Sequence, residues 1–348
     1  MKIAFIEQKI SDRGTSVAVY DYARHNEEIL GNTSLTFSIP GGDGNAEARF
    51  ESRFDHHYYS DREELDRLLA EHQVDFAYFL KHGKNDGADT SVCRCGIHCV
   101  FKTTQPHGDV YACISEYLNE RFKTQCPVVP HMIDMPADAG DMRAELGIPA
   151  DAIVYGRHGG AENFNLVFVQ ETVARILAEQ PNTWFLFLNT DPFLPEGAAG
   201  RERCIHLPST ADRKEVARFI NSCDAMLHAR RGGETFGLAC GEFSVLNKPV
   251  ITWAPPTGID GIKQHLRNFY VKLTGTGTRI PHRMPRAHLD ILGDRAIVYH
   301  TAKELYPILA NPSLWQQNYQ DWDAYSSGYG PAPVMQLFSE VFLTPPAK

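Results

Sequence analysis

The stretch His228–Trp253, HARRGGETFGLACGEFSVLNKPVITW, decides how the rest of the chain is read. Ala225 to Ala229 is an apolar run broken by Gly232 and Gly233, which predicts a buried strand ended by a turn. Thr235 to Leu246 has the composition of a helix, and Pro249 to Trp253 reads as the next strand. The turn then opens the helix, where unpaired peptide N–H groups carry partial positive charge. The backbone around Thr235, Phe236 and Gly237 is thereby expected to cradle a diphosphate or hold hydroxyls, with Gly237 permitting close approach. Glu234 stands at the mouth of the turn. Glu242, about two helical turns on, is expected on the same face.

Working outward, apolar strand candidates alternate with helix candidates along the whole chain. In the first half these are strands at Lys2–Glu7, Phe76–Leu80, Ile97–Thr103, Val110–Ser115 and Val128–Pro130, with helices at Ser16–Leu30, Arg62–His72 and Glu116–Phe122. The polar, proline-bounded segment Ala137–Pro149 reads as a linker or small helix. A second series follows: strands at Ile153–Arg157, Trp184–Asn189 and Cys204–Leu207, with helices at about Leu166–Glu179 and Asp212–Asn221. Such alternation predicts an α/β protein of parallel sheets covered by helices, with ligands at the carboxyl ends of the strands. Gly258–Pro285, rich in glycine and threonine, is expected to be a loop, and Ser326–Leu343 carries a helical apolar pattern. The division implied is residues 1–136, residues 137–325, and a terminal helix at about 326–348.

The length of 348 residues favours two domains, and a hydrophobic share of 43% with 22% charged residues is that of a soluble globular protein. A net charge of −9 argues against general affinity for nucleic acid or anionic membranes, since both need clustered positive charge. No apolar run is long enough to span a bilayer, so no integral membrane segment is expected, and the amino terminus reads as a first strand rather than a secretion signal. A cytoplasmic location follows as the default. Eight scattered cysteines fit reduced thiols; Cys93, Cys95 and Cys99 beside His98 lack the paired spacing of a zinc site and are expected to be structural.

Glu234 and Glu242, with Glu-Thr-Phe-Gly after a strand and Lys-Pro-Val-Ile after the helix, resemble the signature of retaining GT-B glycosyltransferases, most nearly glycosyltransferase family 4. The resemblance implies two Rossmann-like domains with parallel sheets facing across a cleft, and a terminal helix crossing back to the first domain. It implies transfer of a sugar from a nucleotide-sugar donor to an acceptor hydroxyl. Glu234 would grip the sugar and Glu242 the ribose. Arg157, in Tyr-Gly-Arg, matches the family arginine that binds the diphosphate. The family's following lysine is absent; Glu162 and Asn163 stand there, and Arg230 and Arg231 are the substitutes expected, with His158 also in reach. Main-chain groups at His206, Leu207 and Pro208 would meet the base, a UDP-sugar being the commonest donor. Gly14 resembles the family's amino-terminal glycine loop, and His107, with Lys102 as competitor, the histidine lining the cleft. Lys81, His82 and Gly83 are candidates to face the acceptor. That acceptor, glycan, lipid-linked or another hydroxyl compound, is not encoded legibly. The sequence is read as holding no Asp-x-Asp pair of the kind that binds a divalent metal, so no metal and no cofactor are expected. The alternatives are a nucleotide-sugar epimerase or hydrolase of the same fold, or a catalytically silent nucleotide-sugar-binding subunit.

Overall fold

A computed structural model of the chain describes residues 1–274, 284–318 and 320–345. The chain forms two compact units, Met1–Asp134 with Tyr325–Lys348, and Met135–Ala324. Each is built on a six-stranded parallel sheet.

In the first unit the elements run β1 (Lys2–Ile6), α1 (Gly14–Glu28), β2 (Thr33–Ser38), α2 (Gly44–Arg53), β3 (Asp55–Tyr58), α3 (Arg62–Glu71), β4 (Phe76–Lys81), β5 (Arg94–Cys99), β6 (Val110–Cys113) and α4 (Glu116–Phe122). The spatial order is β3-β2-β1-β4-β5-β6. Chain order reverses between β1 and β4, which leaves a crevice beyond their carboxyl ends. The near-continuous apolar runs of β1 and β4 are those of strands buried on both faces. The helix Pro331–Phe338 and the turn Ser339–Leu343 complete this core: Phe338 packs on Phe5, Tyr22 and Tyr78, and Phe342 on Phe76, Tyr78 and His98. Such aromatic contacts add roughly 0.5–1.5 kcal/mol each beyond area burial.

The second unit repeats the plan with β7 (Ile153–His158), α5 (Val167–Glu179), β8 (Thr183–Leu188), β9 (Cys204–Leu207), α6 (Arg213–Asn221), β10 (Ala225–His228), α7 (Leu238–Val245), β11 (Val250–Trp253), α8 (Gly258–Thr274), α9 (Ala287–Leu292), β12 (Ala296–Tyr299) and α10 (Ala302–Ala310). Its order, β12-β11-β10-β7-β8-β9, reverses between β7 and β10. Among the described residues no helix is long and apolar enough to cross a membrane.

Several expectations are corrected. β2, β3 and β12 escaped notice in the sequence, β5 starts three residues before its expected beginning, and Val128–Pro130 contributes only a bridge from Val128 to Cys113. Gly258–Thr274 is a helix, not a loop; Ile259, Ile262, Leu266 and Phe269, all exposed, recur at helical spacing. The rest of that stretch up to residue 283 lies outside the described residues. The terminal helix is interrupted, since Gly330 is extended and Pro331 opens a new helix. Ala137–Pro149 is a run of turns fastened to the second unit, Arg143 donating to the Ser222 carbonyl and pairing with Asp224 at 2.9 Å.

Candidate functional site

The crevice beyond β7 and β10 gathers the charged residues of the opening motif. Glu234 lies six residues past the end of β10, held in extended backbone: its N–H donates to the Pro285 carbonyl (2.9 Å) and its carbonyl accepts from Ala287 N–H (3.1 Å). Two glycines make this course possible. Gly233 has φ +60° and a Cβ there would meet the Pro285 carbonyl oxygen at 2.0 Å; Gly237 has φ +94° and its Cβ would lie 2.8 Å from His288 Cβ. Because Gly237 turns into the left-handed region, α7 begins at Leu238. Thr235 and Phe236 therefore precede the helix rather than forming its first turn, and Glu234 does not share a helical face with Glu242. Phe236 is buried and Thr235 half-buried.

Both oxygens of Glu234 are engaged. Oε2 accepts from Arg230 Nη1 at 2.6 Å, and Oε1 lies 3.3 Å from His228 Nε2. Behind them His228 Nδ1 shares a hydrogen bond with Thr252 Oγ1 (2.8 Å), which shares another with His288 Nε2 (3.0 Å). Burial pushes the Glu234 carboxyl up, but the His228 hydrogen bond and the Arg230 charge outweigh it and hold the group at about 2. Glu234 is thus a fixed anion at neutral pH. Burial first, and then the neighbouring His228, drive His288 down to about 3, so that ring is neutral.

Arg157 is the penultimate residue of β7 and is 4% exposed. Its Nη1 donates to Thr190 Oγ1 and its Nη2 to the Gly160 carbonyl at 2.9 Å. Burial lowers it to about 10, still a cation at neutral pH. Arg231 is tied by its backbone N–H to Asn165 Oδ1 (2.8 Å), which fixes the turn after β10. Glu242, 3% exposed on α7, pairs with Arg213 of α6 through Oε1 and lies 2.7 Å from His158 Nε2 through Oε2. Burial raises its carboxyl, while Arg213 and then His158 lower it further, to about 2. Cys240 lies near both glutamates, and burial first, then their charges, raise its thiol.

At the expected base position, Leu207 is half-buried and its carbonyl accepts from Asn189 N–H (3.1 Å). Its neighbour His206 stacks on Phe187 at 4.9 Å and borders a groove with Pro192, Leu194, Arg201 and Cys204. The chain does contain one Asp-x-Asp, Asp321-Trp322-Asp323. Asp321 Oδ1 accepts from Asp323 N–H and Oδ2 lies 3.5 Å from Arg295, while Trp322 is buried.

In the first unit, Gly14 is the exposed first residue of α1. His107 is corrected in position. Asp109 N–H donates to the Cys95 carbonyl (2.8 Å), so His107 sits at the amino end of β6, away from the carboxyl ends of the strands, with Nδ1 bonded to the Gln105 carbonyl (2.7 Å). The loop leaves β5 through Lys102, whose N–H donates to the His82 carbonyl at 3.0 Å; Lys102 and His82 are the residues at the carboxyl end. Lys81 is spent on Asp86 and the Ala88 carbonyl. Cys95, Cys99 and His98 are core residues: burial pushes both thiols up to about 12, and Tyr78 shares a 2.6 Å hydrogen bond with His98 Nδ1.

Sequence reasoning missed Glu7, the first residue past β1 in the crevice between β1 and β4. It is 7% exposed, its Oε2 has no hydrogen-bond partner, and burial raises its carboxyl to about 7 against hydrogen bonds from Ser16 and Thr15. The signal was a glutamate ending an otherwise apolar strand. Arg213 and His288, also missed, carry no local signal, since only the fold brings them to the glutamates.

Two Rossmann-like units, each with a six-stranded parallel sheet and flanking helices, define the fold as GT-B. Anabaena HepE, solved in complex with UDP and glucose, matches with a TM-score of 0.65 at 14% identity, over 99% of this chain and 100% of that one. WaaG, a glycosyltransferase involved in lipopolysaccharide biosynthesis, matches with a TM-score of 0.61 at 12% identity, over 99% and 100%. A Listeria monocytogenes protein described as a UDP-N-acetylglucosamine 2-epimerase matches at 0.55 and 11%, over 99% and 97%. Neither a protein-family model nor a curated protein matches the sequence.

Proposed function

We propose that the protein is a retaining glycosyltransferase of the family 4 kind, which moves a sugar from a nucleotide sugar, a UDP-sugar, to an acceptor hydroxyl without a metal ion. The observation that carries this reading is Glu234, ionised and clamped by Arg230 and His228 where the strand order of the second unit reverses. A carboxylate held at about 2 is too weak a base to take a proton from a hydroxyl. Its chemistry is to accept hydrogen bonds from sugar hydroxyls and to stabilise the positive charge that grows at the anomeric carbon. As the anomeric carbon–phosphate oxygen bond breaks, the acceptor oxygen bonds to that carbon on the same face. The acceptor's proton passes to the leaving phosphate. Arg157 and Arg230 supply positive charge for the diphosphate. Arg157, held on two partners, acts as a fixed pole rather than a swinging clamp, while Arg230 keeps further N–H donors beyond its bond to Glu234. Glu242 positions Arg213 and His158 and takes the ribose in this reading. The UDP bound in HepE supports the choice of donor. A cytoplasmic setting belongs to the same reading, and the eight free cysteines agree with it.

The test is a panel of nucleotide sugars incubated without added metal, with wild-type protein and Glu234→Ala, scoring free nucleoside diphosphate and thermal shift. Release that needs both Glu234 and an added acceptor is expected, with retained anomeric configuration in the product. Release or sugar isomerisation without an acceptor would move the assignment to hydrolase or epimerase. A thermal shift with no turnover, whatever the acceptor, would make the protein a silent binding subunit.

A further inference from the structure

The edge of the first unit's sheet carries a cluster that none of the foregoing uses. β3 begins Asp55-His56-His57, and alternation along a strand sends Asp55 and His57 to one face and His56 to the other. His56 is satisfied on its own face, sharing hydrogen bonds with Thr36 Oγ1 (2.9 Å) and Ser38 Oγ (3.2 Å). On the opposite face His57 meets His72, the residue that caps the carboxyl end of α3, with ring centroids 4.1 Å apart. One ligand atom from each of Asp55, His57 and His72 lies within 4.8 Å of the other two. His57 Nε2 is buried and has no hydrogen-bond partner although Asp55 Oδ1 is only 3.1 Å away. The two groups thus already face one another across the distance that a shared ion would bridge. The backbone that carries His72 is itself anchored, its carbonyl accepting from Lys2 Nζ at 3.1 Å.

We propose that Asp55, His57 and His72 form a binding site for a divalent transition-metal ion, zinc or nickel, that ties edge strand β3 to the end of α3. Two imidazoles and one carboxylate suit zinc, nickel or copper rather than magnesium or calcium, which want oxygen ligands. Three protein ligands leave a position for water. α3 runs antiparallel to the strands, so the site lies at the amino end of the sheet, opposite the end where ligands of such sheets react. The ion's role is accordingly structural: it closes the segment from β3 to His72 and stabilises the folded first unit by binding it and not the unfolded chain.

The experiment titrates the full chain, stripped of metal by a chelator, with zinc chloride by calorimetry and with cobalt chloride by absorption, alongside His57→Ala, His72→Ala and Asp55→Asn. One equivalent is expected to bind and to raise the melting temperature. Each variant should weaken that equivalent by at least about tenfold, with folding checked by circular dichroism, and the cobalt spectrum should lack thiolate charge-transfer bands. No saturable binding would overturn the site. So would binding that is unchanged in the three variants, or a thiolate signature, which would place the ion on cysteines instead.

Discussion

The two units reverse their strand order at equivalent places, yet the crevices so formed hold their carboxyls in different states of charge. Beyond β7 and β10, Glu234 and Glu242 are ionised and each is locked to an arginine and a histidine. Beyond β1, Glu7 is buried with one oxygen unpartnered and titrates at about 7. The same topology can therefore present a rigid array of fixed charge or a single carboxyl whose charge is undecided near neutrality. Preorganised charge costs no rearrangement at the moment of reaction, which suits the second unit to stabilising a developing cation.

The largest effect expected is on stability. Arg213→Ala leaves the buried Glu242 carboxylate with His158 alone and should cost the second unit about 3–5 kcal/mol, whereas Arg213→Met with Glu242→Leu should cost much less. Urea unfolding followed by tryptophan fluorescence reads this cleanly, because Trp184, Trp253, Trp315 and Trp322 all belong to that unit. Equal losses in the single and double variants would show that packing, not charge, is at stake.

Next comes the charge of Glu234. Glu234→Gln keeps its size but not its charge, and donor turnover should fall about 10²–10³-fold with little change in donor affinity. A fall confined to affinity would reduce Glu234 to a ligand for the sugar.

Glu7 should give the opposite pH slope to the carboxylates of the second unit. A carboxyl raised from 4.5 to about 7 is protonated in the folded state and ionised in the unfolded one between those values. Its stabilising contribution is complete below 4.5 and is lost as pH rises through about 7, a swing of about 3 kcal/mol. The difference between wild type and Glu7→Gln, measured by amide exchange in β1 across that range, isolates it from the other titrating groups of that unit, which are common to both. A flat difference would mean Glu7 is better solvated or paired than its burial indicates. For Glu234, held at about 2, stability is present above 4.5 and is lost as pH falls toward 2.

The smallest effect compares two glycines of positive φ. Gly87→Ala (φ +78°, open space around it) meets only the backbone penalty, roughly 1–2 kcal/mol, while Gly237→Ala adds the collision with His288. A larger drop in melting temperature for Gly237→Ala is expected, and equal drops would show that His288 yields freely.

Much of this fold was legible because parallel strands buried on both faces read as apolar runs, as in β1, β4, β8 and β10. β3, with the sequence Asp-His-His-Tyr, was not, since an edge strand needs no such run. Of the site, the local motif was readable: Glu234, Arg230 and the two glycines are neighbours in the chain. Its electrostatic partners were not, because Arg213 and His288 reach the glutamates only through the packing of α6 and α9. The helix at Leu238 was drawn three residues too early because composition does not reveal that Glu234 is pulled into an extended bridge with Arg286. His107 was misplaced because chain distance from β5 does not tell which end of the sheet a loop has reached.

The terminal segment has a consequence for synthesis. Tyr325 onward belongs to the first unit, where Phe338 and Phe342 fill the core beside Tyr22 and Tyr78. On the ribosome the second unit can fold as soon as residue 324 clears the exit tunnel, while the first must wait with that part of its core open. The unit begun first is the unit finished last.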